Sequence, residues 1–168
     1  EVMEKRKPSD ILDALNLGVT HDLRQTKGTS TVKDGMDIAL CSIDYKNRKL
    51  EFAGAYNPLY FCRDGEIEKI KSDKFPIGAF LGEELQKFSN HEFEIKEGDV
   101  IYIFSDGFAD QFGGPNKRKF MYKPFRKLLA GICNESMEVQ RQILDETLQQ
   151  WKGELSQVDD ILIIGIKF

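Results

Sequence analysis

The apolar run Val100–Phe104 and the residues that follow it constrain this chain more than any other stretch. The run is long enough for a buried strand, and it ends abruptly in Ser105-Asp106-Gly107. A carboxylate at the end of a buried strand is costly unless something pairs with it, so the segment indicates a functional cleft. The alternative is that Asp106-Gly107 is an ordinary turn at the end of a strand.

A second acidic cluster stands beside the last apolar run of the chain. Asp159-Asp160 directly precedes the run Ile161–Ile166. Two acidic clusters next to two buried strands indicate a shared cation, and ligands that are all oxygen favour Mg or Mn over Zn. Taken alone, each cluster is better interpreted as an ordinary structural feature, which for Asp159-Asp160 is a loop between a helix and a strand. Together, the two clusters favour a functional site.

Composition excludes some classes of partner. The chain has 168 residues, enough for one domain, and its net charge of −4 argues against a nucleic-acid surface or an anionic membrane surface. No apolar stretch approaches the roughly 20 residues that a membrane span needs. The short basic run Lys117-Arg118-Lys119 is either a solvated loop or a phosphate contact near the acidic site.

The chain has three cysteines, an odd number. Cys41 and Cys62 lie in apolar strand contexts, where a free thiol behaves as a small hydrophobic side chain. This usage predicts a reducing, cytoplasmic compartment.

The order of hydrophobic patterns predicts an α+β chain, with a helix first, then strands, then helices and a final strand. Short turns between the early strands predict an antiparallel meander, and the turn at 96–99 predicts a hairpin between strands 93–95 and 100–104. A helix capped by Ser136 and ended by Gly153 is expected to bury Val139 and Trp151. The remaining predicted elements are a helix at 9–25, a loop at 26–35, strands at 36–43, 49–53, 59–63, 67–71 and 161–168, a glycine-rich flap at 111–121 and a helix at 124–130.

Five segments occur in a characteristic order and spacing: Asp34–Leu40, Gly54–Pro58, Phe75–Gly78, Gly98–Gly107 and Asp159-Asp160. The set resembles the C-terminal two-thirds of the PPM metal-dependent Ser/Thr phosphatases, in their bacterial SpoIIE-like branch. The resemblance covers essentially the whole chain. It implies an α-β-β-α sandwich of antiparallel sheets with a centre of two Mn or Mg ions.

The resemblance also implies roles for individual residues. Asp106 and Asp159 match metal ligands of the family, and Gly107 and Asp160 are their neighbours. Asp37 either caps the start of strand 36–43 or lies at the edge of the cleft. In the family, a metal-activated hydroxide attacks a phosphoserine or phosphothreonine of a regulatory protein, such as an anti-sigma-factor antagonist.

The first metal-binding Asp of the family and its Asp-x-x-Gly-His-Gly segment match nothing in this chain. We therefore expect residues 1–168 to be one phosphatase domain without its N-terminal strands, inactive alone and prone to self-association. The resemblance implies an upstream sensor or response-regulator module in the parent protein. Two alternatives stay open, a non-catalytic interaction domain with the phosphatase fold and a metal-dependent hydrolase of small phosphomonoesters.

Overall fold

The computed structural model describes residues 7–22, 35–78 and 85–168. The chain divides into two compact units, one of Glu1–Leu59 with Ile70–Ile95 and one of Tyr60–Lys69 with Lys96–Phe168. The predicted combination of helices and antiparallel sheets is confirmed. In chain order the elements are α1 (Pro8–Asp22), β1 (Ile38–Asp44), β2 (Lys49–Ala55), β3 (Leu59–Arg63), β4 (Glu66–Ile70), β5 (His91–Glu94), β6 (Val100–Phe104), α2 (Gly107–Asp110), β7 (Phe112–Gly113), β8 (Arg118–Lys119), α3 (Tyr122–Ile132), α4 (Met137–Lys152) and β9 (Ile163–Lys167).

The first unit is built on a three-stranded antiparallel sheet in the order β1-β2-β5. β1 and β2 form a hairpin in which Ile38 lies opposite Ala55 and Asp44 lies opposite Lys49. α1 buries Leu12 in an apolar core with residues of β2 and of the segments around Phe75 and Phe88. The predicted end of this helix at 25 and the predicted loop at 26–35 lie almost entirely outside the described residues.

The second unit is built on a four-stranded antiparallel sheet in the order β4-β3-β6-β9. Alternate side chains of β3 and β6, among them Tyr60 and Tyr102, pack against Phe125 of α3 in one core. Because β6 and β9 are antiparallel, with Phe104 opposite Ile163, the end of β6 lies beside the start of β9. This register brings together the acidic segment that follows β6 and the one that precedes β9.

The predicted hairpin between strands 93–95 and 100–104 is wrong. Instead, β5 pairs with β2, with Phe93 opposite Leu50, whereas β6 pairs with β3 and β9. The predicted continuous antiparallel meander is also wrong, because β2 and β3 belong to different sheets. Turn residues specify where a chain reverses, but the choice of neighbouring strand depends on distant parts of the sequence.

The helix α4 lies close to its predicted bounds. The Ser136 hydroxyl accepts a hydrogen bond from the Val139 amide at 3.3 Å, and Gly153 follows the last turn with a φ of 56°. Val139 is 39% exposed, however, whereas the neighbouring Gln140 is buried. The polar residue is buried because the Tyr102 hydroxyl donates to its side-chain oxygen at 2.7 Å.

The interpretation of Cys62 as a free thiol is wrong, because the structure pairs Cys62 with Cys133 as a disulfide. Both residues are buried in the core of the second unit, one on β3 and the other directly after α3. They are 71 positions apart in the sequence, so no local pattern indicates that they meet. Cys41 is the free cysteine of the described chain.

An ion pair with a buried carboxylate ties β3 to the turn that leads into β6. The Asp99 side chain is 2% exposed and the Arg63 side chain 35%. Arg63 donates two hydrogen bonds to this carboxylate, at 2.8 and 2.6 Å, and the Lys96 amide donates a third at 2.7 Å. Burial acts to raise the pKa of Asp99, but these donors outweigh it and hold the pKa below its usual value. The pair therefore stabilises the start of the strand that ends at the acidic site.

We expect Asp99→Asn to lower the free energy of unfolding at pH 7 by about 1–3 kcal/mol, because the buried side chain loses the negative charge that the hydrogen bonds from Arg63 and from the Lys96 amide stabilise. The folded-state pKa of Asp99 lies below the unfolded value, so this contribution is full above the unfolded pKa and is lost as the pH falls through the folded one. Urea unfolding of both proteins from pH 7 down to pH 3 measures it. A difference that does not shrink with acid would contradict this assignment.

Within residues 7–22, 35–78 and 85–168, none of the helices has both the length and the apolarity needed to cross a bilayer.

At one edge of the four-stranded sheet, β9 carries the exposed Ile164. Leu162, the residue before the start of β9, is 57% exposed. Exposed edge strands favour pairing with another chain. Self-association stays a prediction.

Candidate functional site

Ser105 joins the two acidic segments at the end of the second sheet. Its amide donates to the Leu162 carbonyl at 2.9 Å, which continues the β6–β9 ladder by one step. Its hydroxyl donates to the Asp160 carbonyl at 2.7 Å and accepts from the Leu162 amide at 2.9 Å. Three hydrogen bonds from one residue therefore fix the backbone before Asp106 against the backbone after Asp159.

Gly107 allows an even closer approach of the same two segments. A Cβ atom at this position would collide with the carbonyl oxygen of Asp160 and lie 2.9 Å from its carbonyl carbon. Only a residue without a side chain fits between the start of α2 and this carbonyl. Gly107 therefore sets the spacing of the two segments, and its place next to a metal site stays a prediction.

The carboxylates of Asp106, Asp159 and Asp160 are exposed at this end of the sheet. Asp106 is the N-cap residue of α2, and its carbonyl accepts from the Asp110 amide at 3.0 Å. One carboxylate oxygen of Asp159 accepts from the Asp160 amide at 2.7 Å, at a bend in the backbone. The segments thus present exposed carboxylate oxygens, the donors that Mg and Mn prefer.

These exposed carboxylates do not by themselves make a metal site. Among the described residues, no group of three or more His, Cys, Asp or Glu side chains is placed to hold a metal ion. Asp110 lies in the same turn as Asp106, but Lys119 donates to its carboxylate at 2.8 Å. Asp37 belongs to the first unit, where it is exposed directly before β1, and its place beside the metal stays a prediction.

The glycine-rich flap predicted at 111–121 contains a small hairpin of β7 and β8. The sequence alone did not indicate which residues hold this hairpin in place. Gln111, fully buried, donates from its side chain to the Ser156 carbonyl at 3.0 Å, just before the second acidic segment. The Trp151 ring donates to the Gln111 carbonyl at 3.0 Å, and the Trp151 carbonyl accepts from the Gly114 amide at 2.8 Å. The end of α4 thus holds the hairpin, and Gln111 holds the loop that precedes Asp159.

The sequence only weakly indicates which residues hold this hairpin. Trp151 fits the apolar face predicted for α4, and two glycines at 113 and 114 stand where a bulky ring approaches. The basic residues on the hairpin differ from one another. Lys119 is engaged by Asp110, whereas Lys117 and Arg118 are exposed near the tip.

Comparison with known families assigns the chain to a family. The sequence profile of the family described as Stage II sporulation protein E (SpoIIE) matches residues 1–168, the whole chain. The chain belongs to the SpoIIE family. This family is one of PP2C-type phosphatases, so the resemblance in the sequence is confirmed.

Solved structures agree with the SpoIIE assignment. The SiaA-PP2C domain of Pseudomonas aeruginosa is 30% identical with a TM-score of 0.82, and the match covers 99% of this chain and 62% of that one. The phosphatase domain of SpoIIE from Bacillus subtilis is 14% identical with a TM-score of 0.58, covering 99% and 76%. RsbX, solved in complex with magnesium, is 14% identical with a TM-score of 0.61, covering 96% and 64%. No curated protein sequence matches the chain.

The chain therefore has the fold of SpoIIE and PP2C phosphatase domains, and it spans 62% of the length of the SiaA domain structure. The segments that the sequence predicted as ligand-bearing lie together at one end of the second sheet. Ser105, Gly107 and Gln111 hold them there, and of these three residues only Gly107 was among the predicted site residues.

Proposed function

We propose that this chain is part of a metal-dependent serine/threonine protein phosphatase of bacterial signalling. The observation that carries the proposal is the pair of hydrogen bonds through the Ser105 hydroxyl, which fixes the segments of Asp106 and Asp159 side by side. Two acidic segments fixed in this way, in a chain of the SpoIIE family, support a shared divalent cation more than two unrelated turns.

Asp106 and Asp159 would hold Mn or Mg, with Gly107 and Asp160 setting the backbone between them. When bound, such a metal lowers the pKa of a water ligand and so supplies hydroxide near neutral pH. The described residues offer fewer ligands than the two-metal site of the resemblance requires, so a further carboxylate has to complete it. The magnesium complex of RsbX supports the choice of a hard divalent cation.

Lys117 and Arg118 are the basic residues that we assign to the substrate phosphate. Both are exposed near the tip of the hairpin, whose base is tied to Trp151 and Gln111. An Arg guanidinium suits a phosphate because its donors form a planar fork. Lys119 has a different role, since its ammonium neutralises Asp110 and braces the hairpin against α2.

The substrate we propose is a phosphoserine or phosphothreonine of a regulatory protein, such as an anti-sigma-factor antagonist. A sensor or response-regulator module in the same protein would control the activity. Membership of the SpoIIE family supports this setting.

A direct test measures phosphate release from a phosphoserine peptide by the protein that carries this chain, at its full natural length, with Mn, with Mg and with EDTA. We expect turnover with either metal and none with EDTA. We also expect residues 1–168 alone to be nearly inactive, because among residues 7–22, 35–78 and 85–168 no group of three ligands is placed to hold a metal ion. Turnover that survives EDTA would contradict the proposal.

The absence of a group of three ligands among the described residues favours one second candidate, a non-catalytic interaction domain. The same assay decides between the two, since that candidate predicts no turnover at full length with any metal. A hydrolase of small phosphomonoesters would instead prefer an aryl phosphate to the phosphopeptide.

A further inference from the structure

The strongest concentration of positive charge in this chain lies on β8 and the first turns of α3. Between positions 117 and 127 the sequence has six Lys or Arg residues and no Asp or Glu, in a protein with a net charge of −4. Lys123, Arg126 and Lys127 are all exposed on α3, and their spacing puts them on one side of the helix. Phe125 and Leu129, on the other side, are buried in the core.

This arrangement opposes the stability of the helix. Like charges three and four residues apart repel each other, and cations near the N-terminus of a helix face the positive end of its dipole. The first turn of α3 holds no acidic residue, and its N-cap residue, Met121, makes no capping hydrogen bond through its side chain. A helix that only had to be stable would place acidic residues here, so these cations point to a role in binding.

Met121 adds a second, independent sign of function. Its backbone has φ 74° and ψ 149°, at the edge of a region that essentially only glycine occupies. Its amide donates to the Ala109 carbonyl at 2.7 Å, which ties the start of α3 to α2, the turn that Asp106 caps. The side chain is nevertheless 56% exposed, so this strained position presents an apolar group to solvent beside the cations.

We propose that Met121, Lys123, Arg126 and Lys127 form a docking surface for an acidic segment of the phosphoprotein substrate, with an apolar residue of that segment seated on Met121. The proposal rests on the proposed function for the identity of the partner. The positive charge of this surface favours an acidic partner. The hydrogen bond from the Met121 amide to the Ala109 carbonyl of α2 places the surface beside the segment that carries Asp106.

The first test measures binding without catalysis. The probe is a fluorescently labelled, unphosphorylated peptide of Asp and Glu with one Leu, added to the protein at its full natural length, and the readout is anisotropy. We expect the triple variant Lys123→Gln, Arg126→Gln, Lys127→Gln to raise the dissociation constant about tenfold and to weaken its dependence on salt.

The matched control is Lys46→Gln, Lys69→Gln, Lys71→Gln, which removes the same charge from exposed positions elsewhere. Equal weakening by both triple variants would mean that only net charge matters, and would overturn the docking surface. Preference of the wild-type protein for phosphatidylserine vesicles over the peptide would also overturn it. A melting curve of each variant checks that the fold is intact.

The second test uses Met121→Gly, which removes the side chain while suiting the backbone conformation. We expect this variant to melt at the same or a higher temperature than the wild type, yet to bind the peptide about threefold more weakly, as loss of one apolar contact implies. An unchanged affinity for the peptide would show that Met121 does not contact its Leu residue, and would overturn that part of the proposal.

The third test separates this proposal from the proposed function. The ratio of kcat/KM for a phosphopeptide with acidic flanks to that for a small aryl phosphate should fall about tenfold in the α3 triple variant and stay unchanged in the control. An unchanged ratio in both would overturn the docking surface and leave the phosphatase intact. If the wild type hydrolyses neither substrate, the proposed function fails, and the binding measurement alone decides the docking surface.

Discussion

Asp106→Asn is expected to lower phosphopeptide turnover about 10³-fold in the full-length protein, the rate equivalent of several kcal/mol of lost charge stabilisation. The substitution keeps the shape of the side chain and its place before α2 but removes the negative charge that a divalent cation needs. Phosphate release at saturating Mn measures it, together with the affinity for Mn from calorimetry. Both quantities should fall, because in the proposed site one carboxylate serves both.

The control for this experiment is Asp64→Asn, at the turn between β3 and β4. Asp64 is exposed and has a φ of 51°, a conformation that Asn also tolerates. The control therefore removes one negative charge from the same unit without disturbing the acidic segments. A loss of activity in the control as large as that in Asp106→Asn would show that net charge, and not a ligand, is responsible.

Gly107→Ala is expected to lower the free energy of unfolding by about 1–3 kcal/mol and to abolish most of the activity, because the new methyl group meets backbone atoms that cannot rotate away. The Asp160 carbonyl lies where the methyl group would stand, so the two acidic segments must separate. Urea unfolding and phosphopeptide turnover measure the two effects.

Gly131→Ala provides the opposite expectation for the same chemical change. Gly131 lies in α3 with no atom within 4 Å of its would-be Cβ. Alanine there should raise the free energy of unfolding by about 0.5–1 kcal/mol, through its better helix propensity. If Gly107→Ala proved as stable and active as the wild type, the close approach at Asp160 would not hold the site together.

The main elements of the second unit were predictable because their signals are local. The apolar run Val100–Phe104 and the cap residues Ser136 and Gly153 specify β6 and α4 without reference to the rest of the chain. The two acidic segments were also expected to meet, and the antiparallel register of β6 and β9 places them at one end of the sheet.

The features that could not be predicted depend on residues far apart in the sequence. β5 could pair with any strand of suitable pattern, and its pairing with β2 follows from packing in the first unit. Gln111 looked like an ordinary polar loop residue, yet it is buried because the Ser156 carbonyl and the Trp151 ring satisfy its polar groups in part. The contact of Cys62 with Cys133 is of the same kind, since 71 positions separate them.

A double-mutant cycle tests most directly whether Asp106 and Asp159 serve one metal-dependent site. Turnover of a phosphoserine peptide at saturating Mn is measured for Asp106→Asn, for Asp159→Asn and for both together, in the full-length protein. When two residues act as one unit, substituting both lowers turnover little more than substituting either one. We therefore expect the turnover of the double variant to match that of the less active single variant. Losses that multiply, as for two independent sites, would contradict a shared metal centre.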